Sequence, residues 1–93
     1  MQLSYHFDPA RVKLKETVNE SDIEFDIELL GEASMVESMK EVQKKFEEND
    51  IYTDVLFYPH EHQCYRVIVR KDFYVEFILA MMQYRLLDRV EWV

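Results

Sequence analysis

Apolar and polar residues alternate along the N-terminal part of the chain. Leu3, Tyr5 and Phe7 are interleaved with Gln2, Ser4 and His6; Val12, Leu14 and Val18 with Lys13, Lys15 and Thr17; and Ile23, Phe25, Ile27 and Leu29 with Glu24, Asp26 and Glu28. A period of two sends successive side chains to opposite faces of a strand, so the pattern predicts three strands. Asp8-Pro9-Ala10-Arg11, with Pro at the second position of a type I turn, and Asn19-Glu20-Ser21-Asp22 separate them. Pairing across the second turn sets Val18 against Ile23, Leu14 against Ile27 and Val12 against Leu29 on one face. The same register pairs Lys13 with Glu28, Lys15 with Asp26 and Thr17 with Glu24 on the other. Pairing across the first turn sets Phe7 against Val12 and Tyr5 against Leu14, which gives a three-stranded meander with one shared apolar face. Glu16 is the misfit, a carboxylate on the apolar side near Leu3 and Phe25.

The period then changes to that of a helix. Ser34 and Glu37 have the spacing of a capping box, and Met35, Met39, Val42 and Phe46 form one apolar stripe that runs on to Asn49-Asp50. Alternation returns in Ile51 to Tyr58 and Cys64 to Arg70, two strands joined through Pro59-His60-Glu61-His62-Gln63. Asp72 is placed to cap a second helix from Phe73 to Leu87, in which only Glu76, Gln83 and Arg85 are not apolar. Phe73, Phe77, Met81 and Tyr84 serve one face of it, and Val75, Leu79, Met82 and Leu86 serve another. A helix apolar on two faces needs cover on two sides, and the second cover is expected from another copy of the chain or from a bound protein partner. Arg89 to Val93 alternates again as a short last strand, with Trp92 partly covered.

The expected fold is an α+β domain spanning 1–93, an antiparallel sheet with two helices on one face and the order β-β-β-α-β-β-α, followed by a short last β-strand. The alternative is a ferredoxin-like β-α-β-β-α-β arrangement of residues 22–93. The two are incompatible, because in the alternative the strand at 23–29 is flanked on both sides without residues 12–18.

Composition narrows the function classes. With 93 residues, 48% of them apolar, the chain can bury enough surface to offset its ordering cost, which excludes disorder. Nineteen acids against eleven bases give a net charge of −8, which argues against nucleic acid and anionic membrane as partners. The longest apolar run, Phe77 to Met82, is far short of the roughly 18 residues of a membrane span. A single cysteine, Cys64, and an N-terminus without a charged and apolar leader pattern point to a reducing cytoplasm. Gly31 is the only glycine, so the glycine-rich loops of phosphate-binding and nucleophile-elbow enzymes are absent.

Two groups of residues carry candidate chemistry. His60, His62 and Cys64 alternate and would share one side of an extended segment as ligands for zinc, nickel or copper. Glu20, Asp22, Glu24, Asp26 and Glu28 form an acidic stripe suited to a basic partner, as in an inhibitor or immunity-type protein. Neither group provides the cleft of a carboxylate pair or an oxyanion hole for Cys64, so no catalytic residue and no cofactor are expected. The expectation is a non-enzymatic protein-binding or regulatory domain that homodimerises through the helix at 73–87, with Val75, Leu79, Met82, Leu86 and Trp92 at the interface. The element order and acidic, dimer-prone character are similar to those of small secretion chaperones and adaptors, a likeness that implies holding a client segment.

Overall fold

The computed structural model describes residues 2–48 and 54–93. Its elements are β1 (Leu3–His6), β2 (Val12–Val18), β3 (Asp22–Leu29), α1 (Ala33–Glu47), β4 (Val55–His60), β5 (Cys64–Arg70), a 3₁₀ turn (Lys71–Phe73), α2 (Tyr74–Gln83) and β6 (Arg89–Trp92). The class is α+β, in the expected order. Four strands form an antiparallel sheet, β2-β3-β5-β4, and β1 and β6 form a separate antiparallel ribbon.

The β2–β3 hairpin has the register that the charge and apolar patterns predict, from Val12 opposite Leu29 to Val18 opposite Ile23. The first turn does not continue it into a meander. Arg11 N–H donates to the Asp8 carbonyl, closing the turn, and Val12 N–H donates to the same oxygen. The chain therefore leaves the sheet plane before β1. Instead of Phe7 meeting Val12 and Tyr5 meeting Leu14, Tyr5 lies opposite Val90 and Leu3 opposite Trp92. Gln2 and Val93 exchange both backbone hydrogen bonds, and Asp88 N–H donates to the His6 carbonyl, so the two ends of the chain zip together. The ferredoxin-like alternative is also corrected. β5 does lie between β3 and β4, but the place beside β3 belongs to β2, and the last strand pairs with β1.

Both helices cover one face of the sheet. Ile23, Phe25, Ile27 and Leu29 from β3 and Tyr65, Val67 and Val69 from β5 meet Met35, Met39 and Val42 of α1 and Phe77, Ile78 and Met81 of α2 in one buried cluster. Phe77 is its hub, with ring centroids 4.8 Å from Phe25, 6.1 Å from Phe46 and 6.3 Å from Phe57. The ribbon adds Leu3, Tyr5, Phe7 and Val90 to the periphery of this core. It supplies part of the second cover that α2 needs.

The helix starts differ from expectation. α1 begins at Ala33 with Glu32 as N-cap, and the Ser34 hydroxyl donates to the Glu32 carboxylate at 3.3 Å rather than joining a capping box with Glu37. No side chain caps α2; Asp72 is inside the preceding 3₁₀ turn. Gly31, before α1, leaves room for the buried Met35: a Cβ there would lie 2.6 Å from the Met35 sulfur. The strand expected from Ile51 is observed from Val55, and Ile51 to Thr53 lie outside the described residues.

Candidate functional site

Glu16 explains its own misfit. Being on the core-facing side of the edge strand β2, its carboxylate reaches under the ribbon, where Oε2 accepts the Tyr5 hydroxyl at 2.6 Å and the Tyr74 hydroxyl at 3.3 Å. Three elements that share no ladder, β1, β2 and α2, are thereby joined at one oxygen. Burial, and then the hydrogen bond to and charge of Glu16, push the Tyr5 hydroxyl well above its ordinary titration range. Burial followed by the charge and hydrogen bond of Glu16 does the same to Tyr74. Both phenols are donors at any ordinary pH.

Above this cluster lies an open groove of about 520 Å³, in which Leu3, Val18, Tyr74, Val75 and Trp92 present apolar surface, Glu16 forms part of the lining and Lys71 contributes a cation. Val18 and Trp92 are among the most exposed large apolar side chains, Trp92 at 55%. From Val75 the apolar surface continues along α2, because Leu79 follows at i+4 and Met82 three residues later on the same side. Leu79 is 50% exposed in mid-helix and Met82 is 38% exposed.

Leu86 does not belong to this ridge, contrary to expectation. α2 ends at Gln83, not Leu87, and Arg85 adopts a left-handed φ of 66°. Leu86 N–H donates to the Met81 carbonyl and Arg85 N–H to that of Met82, the bonding of a Schellman turn. The reversal sends Leu86 and Leu87 into the core, each 2% exposed. Of the five expected interface residues, Val75, Leu79, Met82 and Trp92 share one outward surface.

The His60, His62 and Cys64 group is broken by the turn. His60 and Cys64 are opposite each other across the β4–β5 ladder, but Glu61 to Gln63 form the connection and His62 has a left-handed φ of 61°. Alternation does not survive that backbone, and the His62 side chain is 88% exposed. Cys64 Sγ contacts the His62 carbonyl at 3.7 Å, not its ring. Among the described residues, no three His, Cys, Asp or Glu side chains come together at ligand spacing.

The acidic stripe is real on the outer sheet face, but it is flanked by bases. Asp22, Glu24, Asp26 and Glu28 run down β3 with Lys13 and Lys15 on β2 and Arg66 and Arg70 on β5. Arg66 Nε lies 3.2 Å from Asp26 Oδ1. Arg70 is instead paired with Asp54, 3.7 Å from Nη1 to Oδ1, and Glu20, the fifth acid of the expected stripe, lies in the turn before β3.

Sequence reasoning singled out Glu16 without its partners. Tyr5 shows only apolar parity in the sequence, Val18 only its place in the hairpin, and nothing there marks Tyr74; a carboxylate of apolar parity is the signal that donors converge on it. No helix among the described residues is long and apolar enough to cross a membrane. Comparison with protein-family models, curated proteins and solved structures finds no match.

Proposed function

We propose that this chain is a non-enzymatic protein-binding domain of adaptor type that pairs with a second copy of itself through the outer ridge of α2. The observation that carries the reading is Leu79, half exposed in the middle of a helix whose Phe77, Ile78, Ala80 and Met81 are buried in the core. Together with Met82, Val75 and Trp92 it makes a strip of large apolar side chains on regular secondary structure. Scattered apolar residues are normal on a surface, whereas a continuous strip of them marks an association site. A two-fold contact brings the strip of each copy against that of the other, so every side chain contributes twice. Fully burying a side chain of this kind is worth about 1.5–3 kcal/mol.

Sedimentation equilibrium over a micromolar concentration series tests it. The expected mass is that of a dimer of the 11.4 kDa chain, falling to the monomer in Leu79→Lys and Met82→Lys, both of which keep the far-ultraviolet spectrum of the parent. A parent chain that stays monomeric throughout the series overturns the proposal.

A further inference from the structure

We infer that the free edge of β2 takes up an extended segment of another protein, in which acidic and apolar residues alternate, as an added antiparallel strand. The inference rests on the reading as a protein-binding domain and not on the pairing through α2. The backbone supplies its first support. Asn19 N–H donates to the Asp22 carbonyl and Leu30 N–H to the Arg11 carbonyl, which fixes the alternation of the β2–β3 ladder. Lys13, Lys15 and Thr17 therefore bond to β3, while Leu14, Glu16 and Val18 turn their N–H and C=O groups outward. β2 is an edge of the four-stranded sheet, and among the described residues no backbone group pairs with these three. Val12, of the same orientation, is already spent on the Asp8 carbonyl.

Charge names the occupant. On the outer face of the sheet the sign alternates from strand to strand: Arg66 and Arg70 on β5, Asp22, Glu24, Asp26 and Glu28 on β3, then Lys13 and Lys15 on β2. The series stops at the basic edge, and an acidic strand continues it. Both lysines are exposed, and among the described residues neither lies within ion-pair distance of an acid. Asp26, opposite Lys15, is held on its other side by Arg66 at 3.2 Å. Glu28 is opposite Lys13, but a strand added at the free edge stands as close to the lysines as β3 does. An ammonium has donors enough for both sides. On the core-facing side the added strand runs beside Leu14, Glu16 and Val18, and its apolar residues meet the mouth of the groove at Leu3, Val18 and Trp92.

The same charges exclude a second β2 as the occupant. The longest antiparallel overlaps of two β2 strands are centred on Lys15, Leu14 or Glu16. They set Lys15 opposite itself, Lys13 opposite Lys15, or Glu16 opposite itself, and like charges directly opposite are destabilising. The other edge strand, β4, contains no acid to meet the lysines. Main-chain bonds give such an added strand its affinity, and its alternate side chains give it specificity.

Fluorescence anisotropy on the full chain tests the inference, with a labelled peptide of alternating Val and Glu against its Val and Lys counterpart. The Glu peptide is expected to bind about tenfold tighter or more, and less tightly as salt is raised. With the acids over the lysines, the Val residues of the peptide turn their N–H groups toward β2. N-methylation of the Val residues is therefore expected to abolish binding, and N-methylation of the Glu residues to leave it. Lys13→Thr/Lys15→Thr is expected to lose about tenfold in affinity for the Glu peptide. Val18→Pro, which removes an outward N–H that the β2–β3 ladder does not use, is expected to lose binding while keeping the parent far-ultraviolet spectrum. Absence of binding at millimolar peptide, equal binding of the two peptides, or indifference to where the peptide is methylated overturns the inference. Since Trp92 belongs to both surfaces, binding is also read in Leu79→Lys. A monomeric parent that binds the Glu peptide supports this inference and overturns the pairing alone; a dimeric parent whose Leu79→Lys variant binds neither peptide overturns this inference alone.

Discussion

The Tyr5 hydroxyl donates to Glu16 Oε2 over 2.6 Å and so fastens β1 to a sheet whose ladder it does not join. A carboxylate beneath apolar cover needs donors, and the ribbon delivers one of them. Tyr5→Phe leaves Glu16 with Tyr74 alone, at 3.3 Å. The expected cost is about 1–3 kcal/mol of unfolding free energy, measured by urea denaturation, because the loss falls on a part-buried charged acceptor. Tyr5→Phe and Tyr74→Phe share that acceptor, so their effects are expected to be non-additive in the double variant.

Alkaline pH should unfold the protein by way of the same cluster. The folded state holds the Tyr5 and Tyr74 protons above the ordinary tyrosine value of about 10, where the unfolded chain releases them. Since the native state then binds more protons, this contribution is fully present below about pH 10 and falls as pH rises beyond it. Thermal melts from pH 8 to 12 are expected to show a declining midpoint above about pH 10. The decline should be shallower in Tyr5→Phe.

Phe77→Ala should be among the most damaging single changes in the core. The ring is fully buried and touches Phe25, Phe46 and Phe57, rings contributed by β3, α1 and β4. Its removal opens a cavity that neighbours on three rigid elements cannot close, at an expected cost of about 3–5 kcal/mol. Chemical denaturation reads the loss as a lower midpoint with the slope unchanged.

Arg85→Gly is expected to raise the stability of the folded protomer by up to about 1 kcal/mol, since an L-residue in the left-handed region bears a cost that glycine does not. Differential scanning calorimetry at a concentration where the chain is monomeric isolates this gain from any effect on pairing.

Local contrast made much of the fold legible. The β2–β3 register could be read because Lys13 and Lys15 fall opposite Glu28 and Asp26 while Val12, Leu14 and Val18 fall opposite Leu29, Ile27 and Ile23, with Glu16 the one misfit. The same two-residue period could not show that β1 leaves the sheet. Leu3, Tyr5 and Phe7 have identical parity whether they face Val12 and Leu14 or Val90 and Trp92, and the choice lies with the Asp8 turn and the zipping of the chain ends. The apolar pattern extends α2 to Leu87, beyond its end at Gln83, because Leu86 and Leu87 are apolar in either state. Only the left-handed Arg85 turns them inward, and arginine gives no composition signal for such a turn. His62, at a left-handed φ of 61°, obeys the same rule: alternation counts as a face only while the backbone stays extended.

The sequence alone therefore determined the elements, their order, the sheet face that is buried and the oddity of Glu16, because each is written in nearest-neighbour contrast between apolar and polar residues. Tertiary structure decided which strand β1 joins, what satisfies Glu16 and which part of the α2 surface is left over. Those outcomes depend on residues far apart in the chain, Tyr5 with Glu16 and Tyr74 and Gln2 with Val93, whose mutual distances no local pattern encodes. The apolar excess of the second helix illustrates the division. Its presence was plain from composition, but the ribbon and the Schellman turn absorb most of it, leaving Val75, Leu79 and Met82 beside Trp92 as the surface that faces outward.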